Sequence, residues 1–284
     1  FLRILSGPAA MLARFHVRNF KHLKDLTLDF SAVRDYAFSR ECLTKNRRCV
    51  KTALLFGASG AGKSALGLAL FDITQHLQSP PPDPRRYGSH YLGADNPDAP
   101  AQFSYVFQFG RSSVEYRYAK TRASLLAAEE LIVNGRRVFQ WDGQESDFAH
   151  LKDFGLGALD LRRRHHEGRS FLRSIASGAL PGDRSHASRI MAFVKSMVWI
   201  QGDGSGECMG QPFEQYIIGN GLLGRLEEFL QQGGLREKLV AGKTEDGRDA
   251  IYFKHDRLLP LSEACPRGAR ALGAFFYWHP LLSA

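Results

Sequence analysis

Eight residues, Gly57-Ala58-Ser59-Gly60-Ala61-Gly62-Lys63-Ser64, constrain this chain more than any other stretch. They have the spacing of a phosphate-binding loop: glycine, four residues, glycine, lysine, then serine or threonine. Upstream, Thr52-Ala53-Leu54-Leu55-Phe56 reads as a strand buried on both faces. Downstream, Leu66, Ala69, Leu70, Ile73 and Leu77 recur at helical spacing. The order strand, glycine-rich loop, helix is the context this spacing requires. Glycines let successive backbone N–H groups turn inward on a phosphate, and the helix N-terminus adds the positive end of its dipole. Lys63 would bridge the β- and γ-phosphates of ATP, and Ser64 would ligate Mg²⁺. The competing reading is a glycine-rich turn that happens to carry a surface lysine.

The rest of the composition is ordinary. In 284 residues, 44% are hydrophobic and 24% charged, which excludes collagen-like, disordered and disulfide-scaffold classes. Lys and Arg number 38 against 29 acids, a net charge of +9, which leans toward polyanionic partners and says nothing about fold. No apolar run approaches the length of a membrane span. Cys42, Cys49, Cys208 and Cys265 have neither CxxC nor zinc-site spacing, so free thiols and a cytoplasmic location are expected. Phe1 stands where an initiator belongs and Met11 precedes a strand-like segment, so residues 1–10 are expected to be a non-native leader. The apolar ending at residues 278–284 suggests that a C-terminal part follows.

Period-two patterning marks the strands. Ala13, Phe15 and Val17 alternate with Arg14, His16 and Arg18, and Leu26, Leu28 and Phe30 alternate after a short connection. Residues 79–100 hold six prolines and read as an irregular surface loop. Phe103, Tyr105, Phe107 and Phe109 share a strand face, with Val114, Tyr116 and Tyr118 on the return. That aromatic row fits either the buried side of a sheet or a stacking platform for single-stranded nucleic acid. Asn134-Gly135 between Leu131-Ile132-Val133 and Val138-Phe139-Gln140-Trp141 signals a hairpin. Residues 145–235 read as helical, including an apolar stretch from Ile190 to Ile200. Residues 238–241 and 251–254 form a further antiparallel pair around a polar turn.

Three segments, MLARFHVRNFKHLKDLTLDF at residues 11–30, GASGAGKSALGLALFDI at residues 57–73 and LPLSEACPRGARALGAFFYW at residues 259–278, resemble the ABC-type branch of bacterial AAA ATPases. RecF, the structural-maintenance-of-chromosomes proteins and the overcoming-lysogenisation-defect ATPases belong there. The resemblance implies an α/β P-loop NTPase head with a mixed sheet, an antiparallel β lobe and a helical lobe. It divides the chain into a P-loop unit at 11–78, a β lobe at 101–142, a helical lobe at 145–235, and a β pair with a signature-like helix at 236–284. It places Asn19, Phe20 and Lys21 at the nucleotide's rim; a plain β-turn is the alternative. The family's trans-acting Ser-Ser-Gly-Thr signature falls on Pro266, Arg267, Gly268 and Ala269, where only the glycine is retained. Either Arg267 would then substitute as a cation, or this copy of the signature is degenerate. The Walker B strand, catalytic glutamate and switch histidine would follow Ala284, so no catalytic residue is assigned. Leu125 to Glu130 is the only local run ending in acids, and its position before the Asn134-Gly135 hairpin marks it as a decoy.

The expected function is therefore ATP binding, with Mg²⁺-assisted hydrolysis coupled to head dimerisation in the complete protein. By resemblance it would serve DNA-linked phage defence or repair, with DNA and a nuclease effector as partners. The alternatives are a P-loop kinase acting on a small molecule and a non-catalytic, nucleotide-gated nucleic-acid binder. The cationic run Arg162-Arg163-Arg164-His165-His166 with Arg169 would serve the latter, or is a solvated helix face.

Overall fold

The computed structural model describes residues 2–4, 10–34, 42–44, 48–77, 87–88, 90–148, 150, 170–177, 185–200, 206–208, 213–266, 268–269 and 272–277. The contacts divide into two units, Ile4–Met197 and Val198–Ala284, the latter with Phe1–Arg3. The arginine-rich run at 162–169 lies outside the described residues.

The larger unit is organised by a seven-stranded sheet. Its strands are β2 (Ala10–Phe20), β3 (Leu23–Asp29), β4 (Ala101–Phe109), β5 (Ser112–Arg122), β6 (Leu125–Val133), β7 (Arg136–Trp141) and β8 (Ser146–Asp147). The order is β3-β2-β4-β5-β6-β7-β8, every neighbour antiparallel. Short turns explain this: Gly110 and the Asn134-Gly135 pair adopt the positive φ that tight hairpins demand. The N-terminal strands are thus continuous with the strands of residues 101–141, with Phe15 opposite Tyr105 and Val17 opposite Phe103.

Alternation sets the faces. Phe15, Val17, Tyr105, Phe107, Val114, Tyr116, Leu131 and Phe139 point to one side and are almost wholly buried. The aromatic row of β4 is therefore core, with Tyr105 and Phe107 stacked at 6.2 Å and Phe107 and Phe109 at 5.7 Å. Four described helices belong to this unit: α1 (Lys63–Leu70), α2 (Asp72–His76), α3 (Phe171–Ser177) and α4 (His186–Lys195). Phe193 of α4 meets Phe107 edge-on at 5.1 Å, and Arg189 lies over the Phe109 ring. Each such fully buried aromatic contributes about 2–3 kcal/mol.

Three expectations need correction. The run Thr52–Phe56 is not a strand, and Leu54, Leu55 and Phe56 are 78%, 52% and 86% exposed. A strand forms only where its backbone finds a pairing partner, and the seven-stranded sheet runs from β3 to β8 without this run. For the same reason the expected mixed sheet is not seen among the described residues: the pairings described are antiparallel. Finally, the apolar stretch ending at Ile200 is helical only to Lys195. Met197–Ile200 is a strand, β9, paired with β10 (Gly206–Cys208).

In the smaller unit, β1 (Leu2–Ile4) adds to the β9-β10 pair. A second sheet has the order β11 (Leu239–Lys243), β12 (Asp249–Lys254), β13 (Leu258–Pro260). Helices α5 (Phe213–Gly219), α6 (Leu223–Gln232) and α7 (Leu261–Ala264) accompany it. Ile217, Leu226, Leu230, Ile251 and Phe253 form the core. Leu272 packs closely over Gly233, where a β-carbon would press on its side-chain end. No described helix is long and apolar enough to cross a membrane.

Behind α2 the larger unit buries polar groups. His76 stacks on Tyr118 at 4.1 Å, and its Nε2 is 2.7 Å from the Tyr116 hydroxyl. Burial, and secondarily the Lys120 charge, hold the imidazole well below its usual range. The unfolded chain therefore takes up a proton as pH falls through about 6.5 while the fold resists it, so stability is lost downward from there. Urea unfolding should show the wild type losing about 1 kcal/mol more than His76→Gln between pH 7.5 and pH 5.5. Parallel pH profiles would rule out the buried imidazole as the cause.

Candidate phosphate-binding site

Residues 57–61 are exposed, and the loop leads through buried Gly62 directly into α1. Gly60 and Gly62 have φ of 81° and 93°, values a side chain strongly disfavours, so both glycines are needed for the turn. Ala61 N donates to Ala58 O at 3.1 Å, which tightens the loop. Gly62 is the N-cap of α1 and offers no side-chain acceptor, and the first turn carries no acidic residue. The amide donors of that turn are thus free of side-chain caps. Lys63 Nζ donates to Gly57 O and Ala58 O, each at 2.7 Å. The ammonium therefore lies over the loop's own backbone, where exchange of neutral carbonyls for anionic oxygens strengthens its hydrogen bonds. Uncapped amides, left-handed glycines and an inward lysine together fit a polyphosphate, with Ser64 at the second helical position for a cation.

The turn between β2 and β3 packs against this loop. Asn19 and Lys21 both have positive φ, 55° and 52°. Their side chains are committed elsewhere: Asn19 Nδ2 donates to Asn96 O at 2.9 Å and Ala99 O at 2.6 Å, while Lys21 Nζ donates to Tyr87 O and to His90 O. Burial lowers the Lys21 pKa. Phe20 is fully buried, edge-on to Tyr91 at 5.2 Å. The proline-rich segment, where described, is thus pinned to this turn. Gly93 is required there, since a β-carbon would meet Asn19 Oδ1 at 2.5 Å.

Behind α1 and α2 lies a charge cluster that the sequence pattern did not reveal. Asp72, wholly buried at the start of α2, accepts from Lys120 Nζ at 2.7 Å and Tyr118 Oη at 2.9 Å through one oxygen. Its other oxygen accepts from Tyr87 Oη and Tyr91 Oη, both at 2.8 Å. Burial lowers the Lys120 pKa, partly offset by the Asp72 charge. One signal was available: Lys120 continues the inward series Val114, Tyr116, Tyr118 at period two, and a buried lysine demands a counter-charge.

Glu129 and Glu130 are committed to other partners. Glu129 Oε1 accepts from Tyr116 Oη at 2.8 Å, Ser170 Oγ at 2.7 Å and Leu172 N at 2.9 Å, and Oε2 from Phe171 N at 2.7 Å. It caps α3, although burial raises its pKa. Glu130 pairs with Arg117 and Arg137 on the open sheet face. Of the signature-like segment, Gly268 is exposed at the start of a helical turn, and Arg267 lies outside the described residues.

Comparison with known proteins gives little. No family model and no curated protein matches the chain. Among the solved structures that are loosely similar are two of one protein. They are described as the recombination mediator protein RecF-ATP and RecF-ATPrS in the RecFOR pathway, 13% and 12% identical. Each aligns over 97% of this chain and 82% of its own, with TM-scores of 0.41 and 0.40. Likeness that loose says nothing about the site.

Proposed function

We propose that this protein binds ATP with Mg²⁺ through Gly57, Ala58, Ser59, Gly60, Ala61, Gly62, Lys63 and Ser64. The observation that carries the reading is the uncapped N-terminus of α1 behind two left-handed glycines, with the Lys63 ammonium turned onto the loop. Bound nucleotide would supply the anionic phosphate oxygens. The chain's own part is to hold them: amides of the first turn donate, Lys63 neutralises charge, and the Ser64 hydroxyl ligates the cation.

The finer reading is an ATPase whose hydrolysis is coupled to dimerisation through the ATP-binding heads, in DNA-linked defence or repair with a nuclease effector. Arg267 and Gly268 would approach the partner's nucleotide, and Asn19 and Lys21 would shape the rim of the site. For the rim the support is structural, since both side chains fix the turn that meets the loop. Equilibrium dialysis with labelled ATP, with and without Mg²⁺, tests the core claim. ATP should be retained more strongly with Mg²⁺, and Ser64→Ala should flatten that difference; an unaltered difference would remove Ser64 from the cation site. Release of labelled phosphate to water, rather than to an added acceptor, separates the ATPase from a kinase.

A further inference from the structure

The turn that packs on the loop contains one polar side chain that holds no other part of the fold among the described residues. Of the four residues Asn19 to His22, Asn19 and Lys21 are tied to carbonyls of residues 87–99, and Phe20 is core. His22 is exposed, and its ring is directed at the loop: a β-carbon on Gly62 would stand 2.8 Å from His22 Nε2 and 3.2 Å from Cδ2. Gly62 is the residue whose left-handed backbone opens α1. The imidazole therefore stands beside Gly62, the residue at the uncapped start of α1.

This placement is built in. Asn19, at the end of β2, and Lys21, in the turn, hold left-handed φ, which costs about 1–2 kcal/mol for the lysine. The backbone hydrogen bonds Lys21 N to Tyr91 O at 3.0 Å and Gly93 N to Asn19 O at 3.2 Å fix the turn. Leu23, buried beside His22, reaches toward Gly62 as well, with Cδ2 3.5 Å from the β-carbon position. A turn strained and anchored in this way delivers its one uncommitted polar side chain to the loop, which is where strain is expected to serve a purpose. A β-carbon at Gly62 would displace the ring from this position.

We propose that His22 is a phosphate-contacting residue of this site, its Nε2 donating a hydrogen bond to a phosphate oxygen of nucleotide held by the loop. This inference rests on the ATP-binding reading. It sets the phosphate contact on His22 and leaves Lys21, whose ammonium is spent on carbonyls, at the rim. Such a contact contributes about tenfold in affinity when its acceptor is charged.

The test uses the 284-residue chain and calorimetric titration with ATP and Mg²⁺. His22→Ala should weaken binding about tenfold, while His22→Gln, whose amide can donate from a similar position, should stay within about threefold of wild type. In parallel, the imidazole signals that His22→Ala deletes from the NMR spectrum should move on titration with MgATP. Equal affinities of wild type and His22→Ala overturn the assignment. So does a weakening without movement of the His22 signals, or an equal loss in the glutamine variant, because either makes the effect indirect. Lys63→Ala separates the two levels. If it loses binding while His22→Ala does not, only the His22 assignment fails; if it binds ATP normally, the loop reading fails with it.

Discussion

Replacing Lys63 with alanine is expected to weaken ATP binding by about 100-fold or more, the largest functional effect of any single change in this chain. Charge is the reason. The Lys63 ammonium is the loop's own cation, and it already lies over the backbone of Gly57 and Ala58 at 2.7 Å. Backbone amides orient a phosphate, but without a formal charge they leave most of its negative charge uncompensated. Arginine should not restore full affinity, because its planar fork is larger and cannot occupy the same point between two carbonyls. Since Lys63 is exposed, the thermal midpoint without nucleotide should move little. Calorimetric titration gives the affinity and a melting curve the control. Normal ATP affinity in a folded Lys63→Ala protein would remove the site from this loop.

The parts of the fold legible in the sequence are those governed by local rules. The period-two series Ala13-Phe15-Val17 and Phe103-Tyr105-Phe107-Phe109, and the Asn134-Gly135 turn, each correspond to strands with the expected inward faces. The β11-β12 pair was legible for the same reason. What local rules cannot supply is partnership. Nothing in residues 11–30 announces that β2 pairs with β4 across an interval of some 80 residues, so the two strand groups read as separate lobes. Nor does an apolar run carry its own neighbours: Leu54 to Phe56 has the composition of a central strand and stands exposed.

The site divides in the same way. The glycine spacing of the loop translates into two left-handed turns at Gly60 and Gly62 and a following helix, whereas the strand expected before it is not formed, because residues 52–56 have no strand partner. His22 was not legible, because only the packing of a turn on Gly62, 40 residues away in sequence, reveals its position. The resemblance drew attention to Asn19 and Lys21, and the structure gives both a task in holding residues 87–99.

The second large effect is on stability. Asp72→Asn should destabilise the larger unit by about 3–5 kcal/mol at pH 7, because it leaves the Lys120 ammonium buried without a counter-charge. Lys120→Met should cost less, since Asp72 keeps three hydroxyl donors, Tyr87, Tyr91 and Tyr118, and a methionine fills the vacated space. The pH dependence has a definite sign. Burial already lowers the Lys120 pKa, and loss of the neighbouring carboxylate lowers it further. The folded variant then prefers the neutral amine, so Asp72→Asn should regain stability as pH rises from 7 toward the ordinary lysine value of about 10.4, where the unfolded chain also gives up its proton. Urea unfolding at pH 7 and pH 9 measures both effects. Adding Lys120→Met to Asp72→Asn should recover most of the loss, because the uncompensated charge is gone. If the double variant is as unstable as the sum of the singles, the pair is not coupled and the cluster stabilises α2 through its tyrosine hydrogen bonds alone. Coupling matters for the loop as well, because Asp72 follows α1 by a single residue, Phe71, and anchors to the sheet the helix that presents Lys63.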